Sequence, residues 1–202
     1  MGVEPLLESR TVIGGFEIQG VLRSGPRGAV YEAVQGSLLR PVALRLLSAE
    51  LSQDVEFVQR FWRQQWPEHP HIVSVFEAGE CEHGLFLAMQ LIRGDTLAEA
   101  LERGRIDRAT AVRALGEVAG ALDAAHGEGL AHGWVRPEAI LIDAGGRAWL
   151  SDFGLVPGAG SPAADRQAFA GVVRRCLGRR SVPWRRPGTS SELVSAAAAR
   201  TR

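Results

Sequence analysis

The hydrophobic pattern of the chain changes once, and this change constrains the fold more than any other feature. Residues 16–92 contain short apolar or alternating runs of strand length, separated by glycine-bearing turns. After Gly94 and Asp95, apolar residues recur at helical spacing. A chain of 202 residues with 46% hydrophobic residues can bury a sizeable core. The sequence therefore predicts an α+β protein with a sheet-rich first half and a helical second half.

The first half predicts a mostly antiparallel sheet with one helix. Strands are expected at 16–22, 29–34, 42–47, 72–78 and 85–92, and the apolar third strand is expected to be central. Asp54 is a candidate N-cap for a helix that runs to about Gln65, with Phe57, Phe61 and Val58 on its buried face.

The second half predicts four helices and a short hairpin. Helices are expected at 96–103, 108–126, 165–177 and 190–200, the hairpin at 140–142 and 148–150, and a linker at 158–162. Trp184 and the apolar side chains of Leu193 and Val194 are candidates for covering the core of this half.

Composition excludes several classes of protein. The 23 arginines balance 23 acidic residues, which argues against nucleic acid as a partner. No apolar run has membrane-spanning length, and no signal peptide is recognised. Two isolated cysteines, Cys81 and Cys176, fit a reducing compartment, so a cytoplasmic location is expected. The chain has no lysine, which excludes Schiff-base and P-loop chemistry.

Six short motifs follow one another along this framework. They lie at residues 25–31, 42–45, 69–73, 87–91, 130–141 and 151–155. In this order and spacing they resemble the motifs of the bacterial serine/threonine protein kinase family. The resemblance covers about residues 13–157. It implies a kinase-like bilobal fold at 13–202, and residues 1–12, which show no clear periodicity, are expected to be a short leader. The N-lobe, an antiparallel sheet plus one helix, would span about 13–92, and a shortened, mainly helical C-lobe about 93–202.

The resemblance also implies a nucleotide site. Its residues would be Gly25 and Gly28 in the glycine-rich loop, Val30 and Ala43 as the roof of an adenine pocket, Arg45 at the phosphates, Met89 as gatekeeper, Gln90 to Ile92 as hinge, and Leu141 as floor. The same residues could instead be an ordinary hairpin turn and plain hydrophobic core. Pro26 lies at the loop tip, where it removes one N–H that would face a phosphate.

Two departures affect the phosphate clamp. Arg45 stands where the family has the third-strand lysine, and Gln64 where it has the partner glutamate. A guanidinium differs in size and geometry from an ammonium, and Gln64 has no charge to hold it. The alternative is that Arg45 is a residue at the edge of the cleft that is hydrogen-bonded for a structural role.

Further departures affect the chemical step. Trp134 occupies the position of the catalytic aspartate, Arg136 that of the following lysine, and Ala139 that of the asparagine that would bind a second magnesium. Indole cannot accept a proton. Asp152, in the Asp-Phe-Gly sequence, remains as the one metal-ligand candidate, and a structural turn is its alternative role. His132 is expected to be structural.

These losses lie in one mechanism, so they predict a catalytically inactive pseudokinase that acts as a signalling scaffold or regulator. At most weak binding of ATP with Mg²⁺ is expected, and a protein partner such as a true kinase. Only ten residues separate Gly154 from Asp165, too few for an activation segment with its phosphorylation site. The alternatives are a degenerate but active serine/threonine protein kinase, a small-molecule phosphotransferase, or a structural remnant without ligand. The sequence does not indicate an oligomeric state.

Overall fold

The computed structural model describes residues 6–156, 160–178 and 188–199. The chain divides into two compact units. The first contains the chain up to Gln64 together with Ser74–Leu91, and the second contains Gln65–Val73 and the chain from Ile92 onward. The units thus place segment 65–73, which the resemblance assigned to the N-lobe, with the helical part of the chain.

The first unit is built on a six-stranded sheet in which all neighbouring strands are antiparallel. Its order is β1-β2-β3-β4-β6-β5, which confirms the predicted hairpin and the central position of the third predicted strand. Fully buried side chains on one face, such as Phe16, Ile18 and Tyr31, form its core. The strands are β1 (Val12–Ile13), β2 (Phe16–Gly25), β3 (Gly28–Gln35), β4 (Arg40–Leu47), β5 (Val75–Cys81) and β6 (Gly84–Gln90).

Two helices, rather than the one predicted, follow β4. The short α1 (Ala49–Gln53) is capped by Ser48, and α2 (Val55–Arg63) is capped by Asp54, whose carboxylate accepts the N–H of Phe57 at 3.0 Å. The predicted cap is confirmed, but α2 ends at Arg63 and not at Gln65. Gln64 adopts an extended conformation and forms the C-cap.

The second unit is mainly helical, with a small three-stranded sheet of order β7-β8-β9. The long α4 is its centre, because Leu115, Val118 and Leu122 on one side of this helix are fully buried in the core of the unit. The elements are β7 (Gly94–Thr96), α3 (Leu97–Glu102), α4 (Arg108–Gly127), a 3-10 turn at Pro137–Ala139, β8 (Ile140–Asp143), β9 (Ala148–Leu150), α5 (Pro162–Leu177) and α6 (Ser190–Ala199).

The predicted helices and the β8–β9 hairpin are confirmed, with corrections at their ends. Helix α5 begins at Pro162 because Ser161 caps it, three residues before the predicted start and inside the predicted linker. Ile72 and Val73 do not belong to β5. They pair instead with Leu150, which ties them to the second unit.

Several sequence-based expectations concern the chain ends. Residues 10–12, predicted as part of a leader, contact β2 through backbone hydrogen bonds and through β1. Leu193 and Val194 are buried in the second core, as expected. Trp184 and part of the predicted linker lie outside the described residues. Within the described parts of the chain, no helix is long and apolar enough to span a membrane.

Candidate catalytic and nucleotide site

His132 is the centre of the loop that resembles a catalytic loop. Its side chain is fully buried, and its Nε2–H donates to the carbonyl of Ser151 at 2.7 Å. Its Nδ1 accepts the N–H of Trp134 at 3.1 Å, so both ring nitrogens are used by the neutral imidazole. Burial lowers the pKa of His132, although Asp165 and Asp152 oppose this shift. The geometry fits the structural role expected for this residue.

Asp165, near the start of α5, fixes the backbone of this loop through hydrogen bonds. Its carboxylate is 1% exposed and accepts the backbone N–H of His132 at 2.7 Å and that of Gly133 at 2.8 Å. The side chain of His126, at the end of α4, donates to the same carboxylate at 3.0 Å. One buried carboxylate therefore connects two helices to the loop. Such a charge must be well hydrogen-bonded to be tolerated.

Trp134, at the position of the missing aspartate, is covered by an arginine. The guanidinium carbon of Arg136 lies 4.1 Å from the centre of the Trp134 ring, a cation–π contact. The Nε–H of Arg136 donates to Glu138 at 2.6 Å, and Arg175 lies 4.0 Å from the other oxygen of this carboxylate. Neither the indole nor the guanidinium can accept a proton. The two side chains therefore provide no base at this position.

The Asp-Phe-Gly residues are fixed against His132. The ring of Phe153 is buried and lies 4.6 Å from the His132 ring, and the N–H of Gly154 donates to the carbonyl of His132 at 3.1 Å. Asp152 is half-buried and has a φ of 68°, a left-handed conformation that costs a non-glycine residue energy. The neighbouring contacts therefore hold Asp152 in a defined position.

Of the two positions that resemble the family's magnesium ligands, Asp152 keeps a carboxylate and Ala139 does not. The side chain of Ala139 is buried and has no atom that could bind a metal ion. Its backbone carbonyl accepts the N–H of Ser151 at 2.9 Å. Among the described residues, no group of three or more His, Cys, Asp or Glu side chains is arranged to hold a metal ion. Mg²⁺ bound with nucleotide normally uses one or two carboxylates together with phosphate oxygens and water, and Asp152 is the residue that would supply a carboxylate here.

The backbone conformation and packing of the turn between β2 and β3 require a glycine at only one of its two glycine positions. Gly25 and Gly28 are paired across a two-residue turn formed by Pro26 and Arg27. Gly28 has a φ of 109°, and an added Cβ there would collide with the carbonyl oxygen of Leu46. Nothing lies within 4 Å of a Cβ added at Gly25. Gly28 is thus required for packing against β4, while Gly25 is not.

The other nucleotide-site candidates are divided between the units. In the first unit, Val30 pairs with Arg45 across β3 and β4, and Ala43 pairs with Met89 across β4 and β6. Ala43 and Met89 are buried, which fits the core alternative as well as a pocket wall. Gln90 ends β6 and donates its N–H to Ser74 at 2.9 Å.

The second unit holds the remaining two candidates. Ile92 is the first residue of the longer of its two chain segments, and Leu141 lies in β8 between Thr96 and Trp149. The residue at the glutamate position, Gln64, is the C-cap of α2 rather than a residue within the helix.

Val156 and Gly160, which follow the Asp-Phe-Gly residues along the chain, lie against Gly133 of the loop around His132. A Cβ added at Gly160 would lie 2.5 Å from the Cα of Gly133, and one at Gly133 would lie 2.8 Å from the Cγ2 of Val156. Ser161 then caps α5 through the N–H of Ala164 at 3.1 Å. Val156 and Gly160 thus both lie close to Gly133.

Comparison with known proteins identifies the family. The model of the protein kinase domain family matches residues 16–172. Among curated proteins, the chain is similar to the serine/threonine-protein kinase PknJ of Mycobacterium tuberculosis, with 40% identity over 157 residues that cover 74% of this chain. It is also similar to PknE of Mycobacterium bovis, with 38% identity over 155 residues and 73% of this chain. The chain belongs to the bacterial serine/threonine (Hanks-type) branch of the protein kinase family.

Solved structures show the same fold. A double mutant of the Mycobacterium tuberculosis PknI kinase domain matches with a TM-score of 0.85 and 23% identity, over 98% of this chain and 100% of that chain. The unmutated PknI kinase domain matches with a TM-score of 0.82. This confirms the α+β, kinase-like bilobal fold. The chain spans 27% of the length of PknJ and of PknE.

Sequence reasoning missed two residues of this site. Asp165 and His126 were placed in helices, but their contact with the loop was not predicted. Asp165 lies 33 residues from His132 and 39 from His126 along the chain. One available signal was that Asp165 lies at helical spacing from the apolar Phe169, Val172 and Val173, in the first turn of the helix where a carboxylate also suits the helix dipole.

Proposed function

We propose that this chain is a catalytically inactive member of the protein kinase family that acts as a signalling scaffold or regulator. The observation that carries the proposal is Trp134 stacked under Arg136 where a catalytic aspartate is required. Loss of a positioned base costs about 10²–10⁴ in rate. Glu138 offers no replacement, because it is occupied by Arg136 at 2.6 Å.

The other substitutions support the same proposal. Phosphoryl transfer depends on metal ions and cationic groups that neutralise the charge on the transferred phosphate. Ala139 removes one metal ligand, and Arg45 with Gln64 replaces the lysine–glutamate pair. Because such groups act as a unit, their combined loss leaves Asp152 without the partners that would make it effective. We therefore propose at most weak binding of ATP and Mg²⁺.

A regulatory role requires a protein partner, for which we propose a true kinase or another signalling protein in the cytoplasm. The kinase fold is retained with a buried network around His132 and Asp165, although the catalytic groups are replaced. A retained fold without chemistry suits a binding function, in which surfaces rather than reacting groups carry the activity.

A degenerate but active serine/threonine protein kinase is the second candidate. The names of the relatives favour it, since PknJ and PknE are called serine/threonine-protein kinases. Asp152 would then hold the metal ion, and transfer of the γ-phosphate to a protein hydroxyl would proceed without a strong base. The loose transition state of phosphoryl transfer makes this chemistry conceivable.

Nucleotide binding can be tested by the melting temperature of the chain in ATP and ADP series, with and without Mg²⁺. A ligand at a hundredfold excess over its Kd stabilises the folded state by about 2.7 kcal/mol. For a domain of this size that corresponds to about 5–10 °C. We expect a shift below about 2 °C at millimolar nucleotide. A large Mg²⁺-dependent shift that Asp152→Ala abolishes would contradict weak binding and favour the active kinase.

A further inference from the structure

The apolar side chains of helix α2 span a wider arc of its circumference than the face that is buried against the rest of the protein. At 100° per residue, Phe57 and Phe61 point to one side and are buried, whereas Val55 and Trp62 lie about 100–160° away from them around the helix. Val55 is 68% exposed and Trp62 is 50% exposed. Val58, between the two sides, is half-buried. We call the exposed stripe formed by Val55, Val58 and Trp62 the α2 stripe.

Exposure of a tryptophan at this level indicates a contact surface. Tryptophan contributes a large apolar area and is enriched among the residues that dominate binding energy in protein interfaces. The two exposed ends of the α2 stripe are seven residues apart, which is about two helical turns. The stripe therefore runs along the length of the nine-residue helix and offers a linear apolar surface.

Opposite charges flank the stripe at its two ends. Glu56 lies in the first turn and Arg63 in the last turn, both exposed and also seven residues apart on one side of the helix. Within the described residues, neither side chain takes part in an ion pair. Gln59, exposed and uncharged, lies between them.

This pattern is complementary to itself when the helix is reversed. In an antiparallel pair of α2 helices related by a twofold axis, Val55 of one copy faces Trp62 of the other. Glu56 then faces Arg63 of the second copy, and the same two contacts recur on the other side of the axis. We propose that the α2 stripe is the interface of a homodimer in which α2 pairs antiparallel with α2 of a second copy of this chain.

The area determines the strength of this contact. A stable protein–protein interface typically buries about 1,200–2,000 Å² in total, and a pair of nine-residue helices buries less than this. The dimer should therefore be reversible, with a dissociation constant in the micromolar range or above. The proposal does not depend on whether the chain transfers phosphate, because the helix positions used are not in the catalytic loop.

The test is sedimentation velocity of the full chain from low to high micromolar concentration. We expect concentration-dependent dimerisation that Trp62→Ala weakens by about tenfold or more. Glu56→Arg alone and Arg63→Glu alone should each weaken it by about tenfold, because each places like charges opposite one another. An equimolar mixture of these two variants should dimerise again, since each then faces the opposite charge.

Leu38→Ala is the matched control, because Leu38 is 63% exposed in the same unit but lies on the β3–β4 turn. It should leave the dimerisation unchanged, and circular dichroism should show that all variants remain folded. A chain that stays monomeric at every concentration would overturn the proposal. So would a dimer that Leu38→Ala weakens, or one that Trp62→Ala or the two charge variants do not affect.

Discussion

The Asp165 carboxylate accepts the backbone N–H of His132 at 2.7 Å, across 33 residues of sequence. Both residues are almost completely buried. Because Asp165 also binds the N–H of Gly133 and the side chain of His126, this one residue joins α4, α5 and the loop that precedes Trp134. The chain has thus kept the support of a catalytic loop while the catalytic position itself carries tryptophan.

Asp165→Asn should destabilise the protein. One carboxylate oxygen becomes an NH₂ group that cannot accept a backbone N–H, so a buried donor loses its partner. We expect a loss of about 3 kcal/mol in the free energy of unfolding, measured by urea titration. Asp107→Asn is the control, because Asp107 is an exposed N-cap of α4 and asparagine caps a helix equally well. Equal effects of the two variants would refute the structural role of Asp165.

The stability of the protein should fall as the pH falls from 6.5 toward 5. Burial lowers the pKa of His132 in the folded state, so the unfolded chain binds a proton that the folded chain does not. Stability is then complete above the unfolded pKa of about 6.5 and is lost below it. His69, whose pKa burial and the neighbouring His71 also lower, contributes in the same direction.

This pH dependence can be measured by urea unfolding at pH 7.5 and pH 5.5. His132→Gln should reduce the slope by up to about 1.4 kcal/mol per pH unit. Carboxylates with lowered pKa do not interfere in this window. Burial raises the pKa of Asp123, for example, but hydrogen bonds from Ser191 and Ser190 outweigh it, so its contribution is lost only near pH 4 and below. An unchanged slope in His132→Gln would show that His132 is not responsible.

Gly160→Ala should lower stability, because its new methyl group would lie 2.5 Å from the Cα of Gly133. Because the atom in the way belongs to the backbone, it cannot move aside without distorting the loop. We expect a loss of about 1–3 kcal/mol in the free energy of unfolding, measured by urea titration. Gly171→Ala is the matched control inside α5, where the nearest atom, of Arg174, is 3.7 Å away. It should raise stability by about 0.5–1 kcal/mol through its better helix propensity. A neutral Gly160→Ala would mean that Gly160 does not pack closely on Gly133.

Asp123→Ala should loosen the start of α6. The carboxylate of Asp123, on α4, accepts the N–H groups of Ser190 and Ser191 at 2.8 and 2.9 Å and the Ser191 hydroxyl at 2.7 Å. Loss of such a cap costs about 1–2 kcal/mol. Hydrogen exchange of residues 190–194 should accelerate, while that of α5 stays the same. Ser191→Ala, which removes only the hydroxyl contact, should have a smaller effect, and equal acceleration in both variants would contradict the assigned role.

Local signals in the sequence predicted most of the elements. Asp54 marks the start of α2, and the apolar spacing of Leu115, Val118 and Leu122 marks the buried side of α4. The errors arose where a neighbour distant in sequence decides the structure. Ile72 looks like strand β5 but pairs with Leu150, and the three-residue β7 exists because β8 lies beside it.

The candidate site shows the same difference between local motifs, which the sequence predicted, and long-range contacts, which it did not. The positions of Trp134 and Ala139 followed from the order of motifs, because each motif lies within a few residues of sequence. The contacts of Asp165 and of Asp123 did not follow, since they join residues 33 and 67 positions apart. The stacking of Arg136 on Trp134 depends on side-chain conformation, which spacing does not determine.

The proposed absence of phosphotransfer is measured directly by the transfer of labelled γ-phosphate from ATP. The chain is incubated with Mg²⁺-ATP alone and with a general protein substrate, beside Asp152→Ala prepared in the same way. We predict that label incorporation by the unmodified chain does not exceed that by Asp152→Ala. Incorporation that requires Mg²⁺ and disappears in Asp152→Ala would contradict the account and identify the chain as an active kinase.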